Sequence, residues 1–253
     1  MPPEPQSGLL REVALLFGLT TVASLAILAL TKIELLKDVG LAALALLYLL
    51  IAIRAAQRET GGIRRYGIHL AGLLEPPKPD DGPPGPFGIR DLLRALGRAT
   101  KPGAREAAFA LGVAALTFPP FIVGFYFWNS PTQPFSFQLP PATLSFCTAQ
   151  ILIVALPEEA LFRGYFQTRL ADAWPARREI LGALISPRSL VMQAALFALL
   201  HFIVDPHPAR LAVFFPALIF GWMRARRGGI GSAMTYHALC NILSDILFRS
   251  WLG

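Results

Sequence analysis

The apolar residues of this chain are grouped into long uninterrupted runs, and that grouping constrains the fold more than any other feature. A bilayer core about 30 Å thick is crossed by roughly 20 apolar helical residues. Runs of this kind cover Glu12–Thr31, Val39–Ile53, Glu106–Trp128, Ala142–Leu170, Ser189–Val204, Ala209–Met223 and Ile230–Trp251. Only 15% of the 253 residues are charged and 54% are hydrophobic, against about 25% charged in soluble domains. Mean hydropathy is +0.52. In hydrocarbon every backbone polar group has to be satisfied within the segment, so runs of this length are helices. The expected fold is all-α: a polytopic membrane helix bundle with about seven transmembrane helices and a buried polar cavity.

Three regions follow. Residues 1–53 form an N-terminal transmembrane hairpin, because the charged turn Lys32–Asp38 is too short for anything but antiparallel neighbours. Residues 54–105 hold ten Lys or Arg residues and the run Glu75–Pro86, whose prolines forbid regular helix. After that run, Ile89, Leu92, Leu93 and Leu96 share one helical face and Arg90, Arg94 and Arg98 another, the pattern of a basic amphipathic helix at a headgroup plane. The equally open alternative is a helix packed on the protein's own cytosolic side. Residues 106–253 form the transmembrane core.

The net charge of +7 sits in the connections between runs. The segments Arg54–Arg105, Arg163–Arg188 and Arg224–Arg227 are basic, whereas Lys32–Asp38, Asn129–Pro141 and Asp205–Arg210 are balanced or weakly charged. These sets alternate as seven spans require, with the N-terminus inside. No basic stripe interleaved with exposed aromatics is present, so nucleic acid is not an expected partner. The N-terminal run reads as a retained span. Cys147 and Cys240 lie within apolar runs and read as small buried residues. The cluster Phe121, Phe125, Tyr126, Phe127 and Trp128 reads as an interfacial belt, and His69 and His207 as bystanders.

Charge inside a span costs at least about 2.5–3.5 kcal/mol per residue and marks a functional site. Nearly all such polarity falls in three places: Glu158, Glu159 and Arg163; His201, four residues after Phe197; and His237 with Asn241. Glu159 and Arg163 are four apart and can pair, leaving Glu158 on another face. His237 and Asn241 also share a face. With a rise of about 1.5 Å per residue, Glu158 and His201 lie roughly 18 Å from the cytosolic span ends, and His237 and Asn241 roughly 10–17 Å. Matched depth in three helices points to one cavity.

A carboxylate with two imidazoles can deprotonate water, and an amide with an imidazole can stabilise an oxyanion. Ser232, Thr235 and Ser244 have no nucleophile-elbow spacing. Glu158, His201 and His237 could instead hold zinc, although no His-Glu-x-x-His string is present. A structural or transport role for these residues is the third alternative, weakened by the lack of an inverted repeat.

The order Glu-Glu-x-x-x-Arg, Phe-x-x-x-His, His-x-x-x-Asn, with Phe-Arg-Gly at 162–164, resembles the CPBP family of CAAX-processing and bacteriocin-processing (Abi) intramembrane endopeptidases. The resemblance covers roughly Thr143–Ser250, and there is some look of the myxosortase-like branch. It implies a glutamic protease needing no cofactor. Glu158 would activate water with His201 assisting, His237 and Asn241 would stabilise the oxyanion, and Glu159 and Arg163 would shape the site. The implied partners are membrane lipid and a membrane-anchored substrate, whether prenylated, signal-like or a C-terminal sorting tail. The implied location is a bacterial inner membrane. The main alternative is a non-catalytic immunity or scaffold partner.

Overall fold

The computed structural model describes residues 6–33, 37–70, 73 and 88–253. The proline-rich run at 75–86 lies outside the described residues, as do 34–36 of the first turn. The first two apolar runs form α1 (Gln6–Leu30) and α2 (Lys37–Gln57). They pack on each other, and Ser24 Oγ meets Tyr48 Oη at 2.8 Å across the pair. Such a bond ties lipid-embedded helices together, and Ser24 Oγ also donates to the Thr20 carbonyl oxygen at 2.7 Å. A short helix α3 (Gly62–Arg65) follows.

The amphipathic segment and the third span are one helix, α4 (Ile89–Asn129), which continues through Pro102, Pro119 and Pro120. Its 41 residues at about 1.5 Å each make it roughly twice as long as the hydrocarbon core is thick. Ile89, Leu92, Leu93 and Leu96 are all exposed on it.

The fourth helix is not a regular α-helix. It runs as α5 (Thr143–Ala149), a π-helical stretch (Gln150–Ala155), α6 (Leu156–Glu159), a second π-helical stretch (Ala160–Phe166) and α7 (Gln167–Ala173). Pro157 stands between the two π stretches and supplies no N–H to the ladder. Wide π turns occur frequently at functional positions. They bracket Glu158 and Glu159 here.

A two-stranded antiparallel hairpin, β1 (Arg178–Ile180) and β2 (Ala183–Ile185), is the one addition to the all-helical expectation among the described residues. Trp222 Nε1 donates to the Ile180 carbonyl at 3.1 Å and ties the hairpin to the bundle. Then come α8 (Pro187–Val204), a 3₁₀ turn (Pro208–Val213), α9 (Phe214–Arg227) and α10 (Gly231–Leu252). Ser186 caps α8 by accepting from the Ser189 amide at 3.4 Å.

The chain is thus an all-α membrane bundle. Among the described residues, five helices are long and apolar enough to cross a bilayer: Gln6–Leu30, Val39–Gln57, Ile89–Asn129, Thr143–Ala173 and Pro187–Val204. The expected sixth and seventh spans fall outside this set for identifiable reasons. α9 has 14 residues after its 3₁₀ turn, and α10 has 22 residues but carries His237, Asn241, Asp245 and Arg249. α10 packs against α4 and α9, and α8 against α9, so these helices enclose a common interior. The exterior stays apolar: Leu19, Val22, Leu116, Phe127, Trp128 and Leu144 are all exposed. That surface suits hydrocarbon as solvent.

The second π stretch is the centre of the core. Ala160–Phe166 are all buried. Gly164 is required there by a close approach, since a Cβ at this position would sit 2.7 Å from Ile68 Cγ1 and 3.4 Å from the Tyr66 carbonyl oxygen. The loop at 66–68 is thereby wedged beneath the helix, with Tyr66 and Ile68 fully buried and Tyr66 stacked on Tyr165 at 5.8 Å between centroids. Arg169 of α7 fastens the N-terminal hairpin to this core, through Glu12 of α1 and Glu59, the latter at 2.5 Å.

Candidate active site

Glu158 is one-fifth exposed, and its Oε2 faces two imidazoles: His237 Nε2 at 3.8 Å and His201 Nε2 at 4.0 Å. That oxygen has no hydrogen-bond partner among the described residues. Separations of this size are too long for direct hydrogen bonds.

Each imidazole is held by its other nitrogen. His201 Nδ1 lies 2.9 Å from the Phe197 carbonyl oxygen, one turn earlier on α8. A carbonyl only accepts, so Nδ1 carries the hydrogen and Nε2 of neutral His201 offers a lone pair to the gap. His237 Nδ1 lies 2.9 Å from Glu159 Oε1. It donates to that carboxylate, and Nε2 again faces Glu158. Holding one nitrogen fixes both the tautomer and the aim of the ring.

Glu159 and Arg163 are fully buried, with Arg163 Nη1 donating to Glu159 Oε1 at 2.9 Å. One carboxylate oxygen therefore receives both the guanidinium and the His237 ring. Arg163 Cζ also lies 4.2 Å from the Phe197 ring centroid and 4.7 Å from that of Phe220. Phe220 stacks on His237 at 4.8 Å and 15°, and Phe197 lies 4.3 Å from the His201 ring. Two aromatic side chains thus wedge the arginine and both histidines into position.

Asn241 Nδ2 donates to Gln150 Oε1 at 2.9 Å. An amide has two N–H groups, so this bond orients Asn241 and leaves one donor for other use. The structure therefore brings Glu158, His201 and His237 together, sets Glu159 and Arg163 behind His237, and fixes Asn241 one turn along α10. His207 stands apart and accepts from the Ala209 amide at 3.2 Å. Cys147 and Cys240 are free and half-buried rather than fully buried.

Several contributors are not singled out by the sequence. Gln150 is a lone amide in the run Ala149–Ala155, and its polarity is the signal that could have found it. Phe220 carries no such signal, since an aromatic in an apolar helix is ordinary.

The imidazoles and Asn241 open into a cavity of about 520 Å³. Its walls are chiefly apolar, with Phe118 and Phe121 of α4, Phe215 and Ile219 of α9, and Val213 between them. This is within the usual range of ligand sites, about 300–1,000 Å³. The fit to zinc is poor. With bonds of about 2.0–2.1 Å, tetrahedral ligand atoms stand about 3.4 Å apart, less than either Glu158–imidazole separation. Among the described residues no group of three His, Cys, Asp or Glu side chains is spaced to hold a metal ion.

The fold and the site define an integral membrane protein in which two imidazoles and an amide line one apolar cavity and a carboxylate faces both imidazoles. Residues 140–243 match the model of the family described as type II CAAX prenyl endopeptidase Rce1-like, so over that segment the chain is similar to this CAAX-protease family. The matched segment runs from the start of the fourth helix to just beyond Asn241, and so contains all three motifs. No match was found among curated proteins or solved structures.

Proposed function

We propose that the chain hydrolyses a peptide bond of a membrane-tethered protein through a water activated by Glu158. The observation that carries this reading is the single carboxylate oxygen faced by two Nε2 atoms at 3.8 and 4.0 Å. A water in that gap donates one hydrogen to Glu158 and the other to His201. Glu158 takes the proton as the oxygen attacks the scissile carbonyl. The tetrahedral oxyanion receives the free N–H of Asn241 and the Nε2–H of His237 in its protonated form. The Glu159 carboxylate on Nδ1 supports that cation. Collapse returns the proton from Glu158 to the leaving amine. Glu159 and Arg163 position His237 and touch no reacting atom.

The apolar cavity suits a lipidated residue or an apolar side chain beside the cut. A prenylated C-terminus, a signal-like helix and a C-terminal sorting tail all present such groups. The basic connections support an N-terminus on the inner side, and a bacterial inner membrane as the location is part of the same proposal.

The test is incubation of purified wild type and Glu158→Gln with membrane-tethered peptides, with and without a strong chelator, read by mass spectrometry. Wild type should cut regardless of chelator, and the variant should be slower by about 10²–10⁴-fold, the usual share of general-base catalysis. Its melting temperature should not fall, because the lost oxygen has no protein partner. Cleavage by the variant at the wild-type rate would refute the role of Glu158. Loss of cleavage to chelator with recovery in zinc would refute the metal-free water.

A further inference from the structure

A second cavity, of about 280 Å³, lies where α7 ends, the hairpin returns, α8 begins and α9 ends. Its character is opposite to that of the first. Four arginines line it, Arg65, Arg163, Arg177 and Arg224, and Asp172 is the one carboxylate among its lining residues.

Two of these cations are already committed. Arg65 pairs with Glu59 and, at 2.6 Å, with Asp172, and Arg163 pairs with Glu159. The other two are not: neither Arg177 nor Arg224 has a carboxylate partner among the described residues. Arg224 Nη2 donates only to the Arg65 carbonyl oxygen, at 3.2 Å, and its Nε is buried without a partner. Burial lowers the pKa of Arg224 to about 10, which still leaves it charged at neutral pH. Its guanidinium also lies against Gly67, where a Cβ would come 2.6 Å from Nε. The backbone of the wedged loop thus holds it in place.

The second observation comes from Arg163. It is fully buried, yet its Nε and Nη2 have no hydrogen-bond partner among the described residues. Unsatisfied buried donors are costly, and a charged one more so. The N-terminus of α8, capped by Ser186, supplies the positive end of a helix dipole at the same place. Like charges without a counter-charge, a half-satisfied buried guanidinium and a helix N-terminus all ask for an anion. The volume equals that of several waters at about 30 Å³ each, enough for a tetrahedral oxyanion.

We propose that this cavity binds a phosphate group, which arginine forks recognise in bidentate fashion. The phosphate comes either from the headgroup of an anionic phospholipid or from solution. This site is separate from the Glu158 cluster and does not depend on the proteolytic reading. Arg163 nevertheless links the two, since it holds Glu159, which holds His237.

The experiment follows thermal unfolding of the full chain, in detergent with phosphate titrated against chloride at constant ionic strength, and in nanodiscs with and without phosphatidylglycerol. The midpoint should rise by several degrees. A rise with dissolved phosphate identifies the free anion as ligand, and a rise with phosphatidylglycerol alone identifies the headgroup. Arg224→Gln and Arg177→Gln should each weaken the apparent affinity about tenfold, the loss of one charge-assisted hydrogen bond. Arg177 is exposed, so its replacement leaves the packing intact even if Arg224→Gln folds poorly. No rise with either ligand, or the same rise in Arg177→Gln as in wild type, would overturn the proposal.

Discussion

Replacing Arg163 by methionine keeps much of the side-chain length but removes the cation from a fully buried position. Arg163 and Glu159 are both 0% exposed and 2.9 Å apart. Removing one partner of a buried pair costs about 3–5 kcal/mol, because the other charge is left uncompensated. The two aromatic faces on the guanidinium add about 0.5–2 kcal/mol. For a chain of this size about 1 kcal/mol moves the midpoint by about 2–4 °C, so the variant should melt roughly 7–28 °C below wild type. The companion variant Glu159→Gln/Arg163→Met isolates the cause. Glutamine keeps an oxygen to accept from His237 Nδ1 but carries no charge, so the double variant should recover more than half of the lost midpoint. The assay is differential scanning fluorimetry of the purified proteins in one detergent. A single variant within about 2 °C of wild type, or a double variant that melts lower than the single, would refute the account of a charge held by its buried partner.

Gln150→Ala removes the bond that orients the Asn241 amide. It should lower kcat about tenfold with KM within about twofold, a smaller loss than the 10²–10³ of deleting an oxyanion donor outright. An unchanged kcat in a steady-state peptide assay would show that Gln150 has no positioning role. Gly164→Ala drives a methyl to 2.7 Å from Ile68 Cγ1 and should cost about 1–3 kcal/mol by overpacking. Pairing it with Ile68→Val should restore part of that loss. A melting temperature equal to that of wild type for Gly164→Ala alone would contradict the wedged loop.

The sequence was legible in two respects. The apolar runs gave helix positions that the fold follows within a few residues at most ends, because hydrocarbon accepts no other backbone arrangement there. Charge inside those runs drew attention to Glu158, His201 and His237, which do meet. Continuity was less legible: the amphipathic segment and the third span look like separate units, yet α4 passes through Pro102 without a break. The hairpin Arg178–Ile185 gave no strand signal, being three residues a side and held by Trp222.

The amino-acid sequence by itself determined that this chain lives in a membrane, which segments are helical, and which polar residues had to be accommodated at depth. Those are local consequences of hydropathy, length and the cost of burying charge. Tertiary structure alone decided how the accommodation is made. The π turns around Pro157, the pairing of Gln150 with Asn241, the aromatic wedge of Phe197 and Phe220, and the arginines gathered from α3, the fourth helix, the segment before β1 and α9 each depend on contacts between residues far apart in the chain. A periodicity reports which face a residue takes on its own helix. Only packing decides what that face meets.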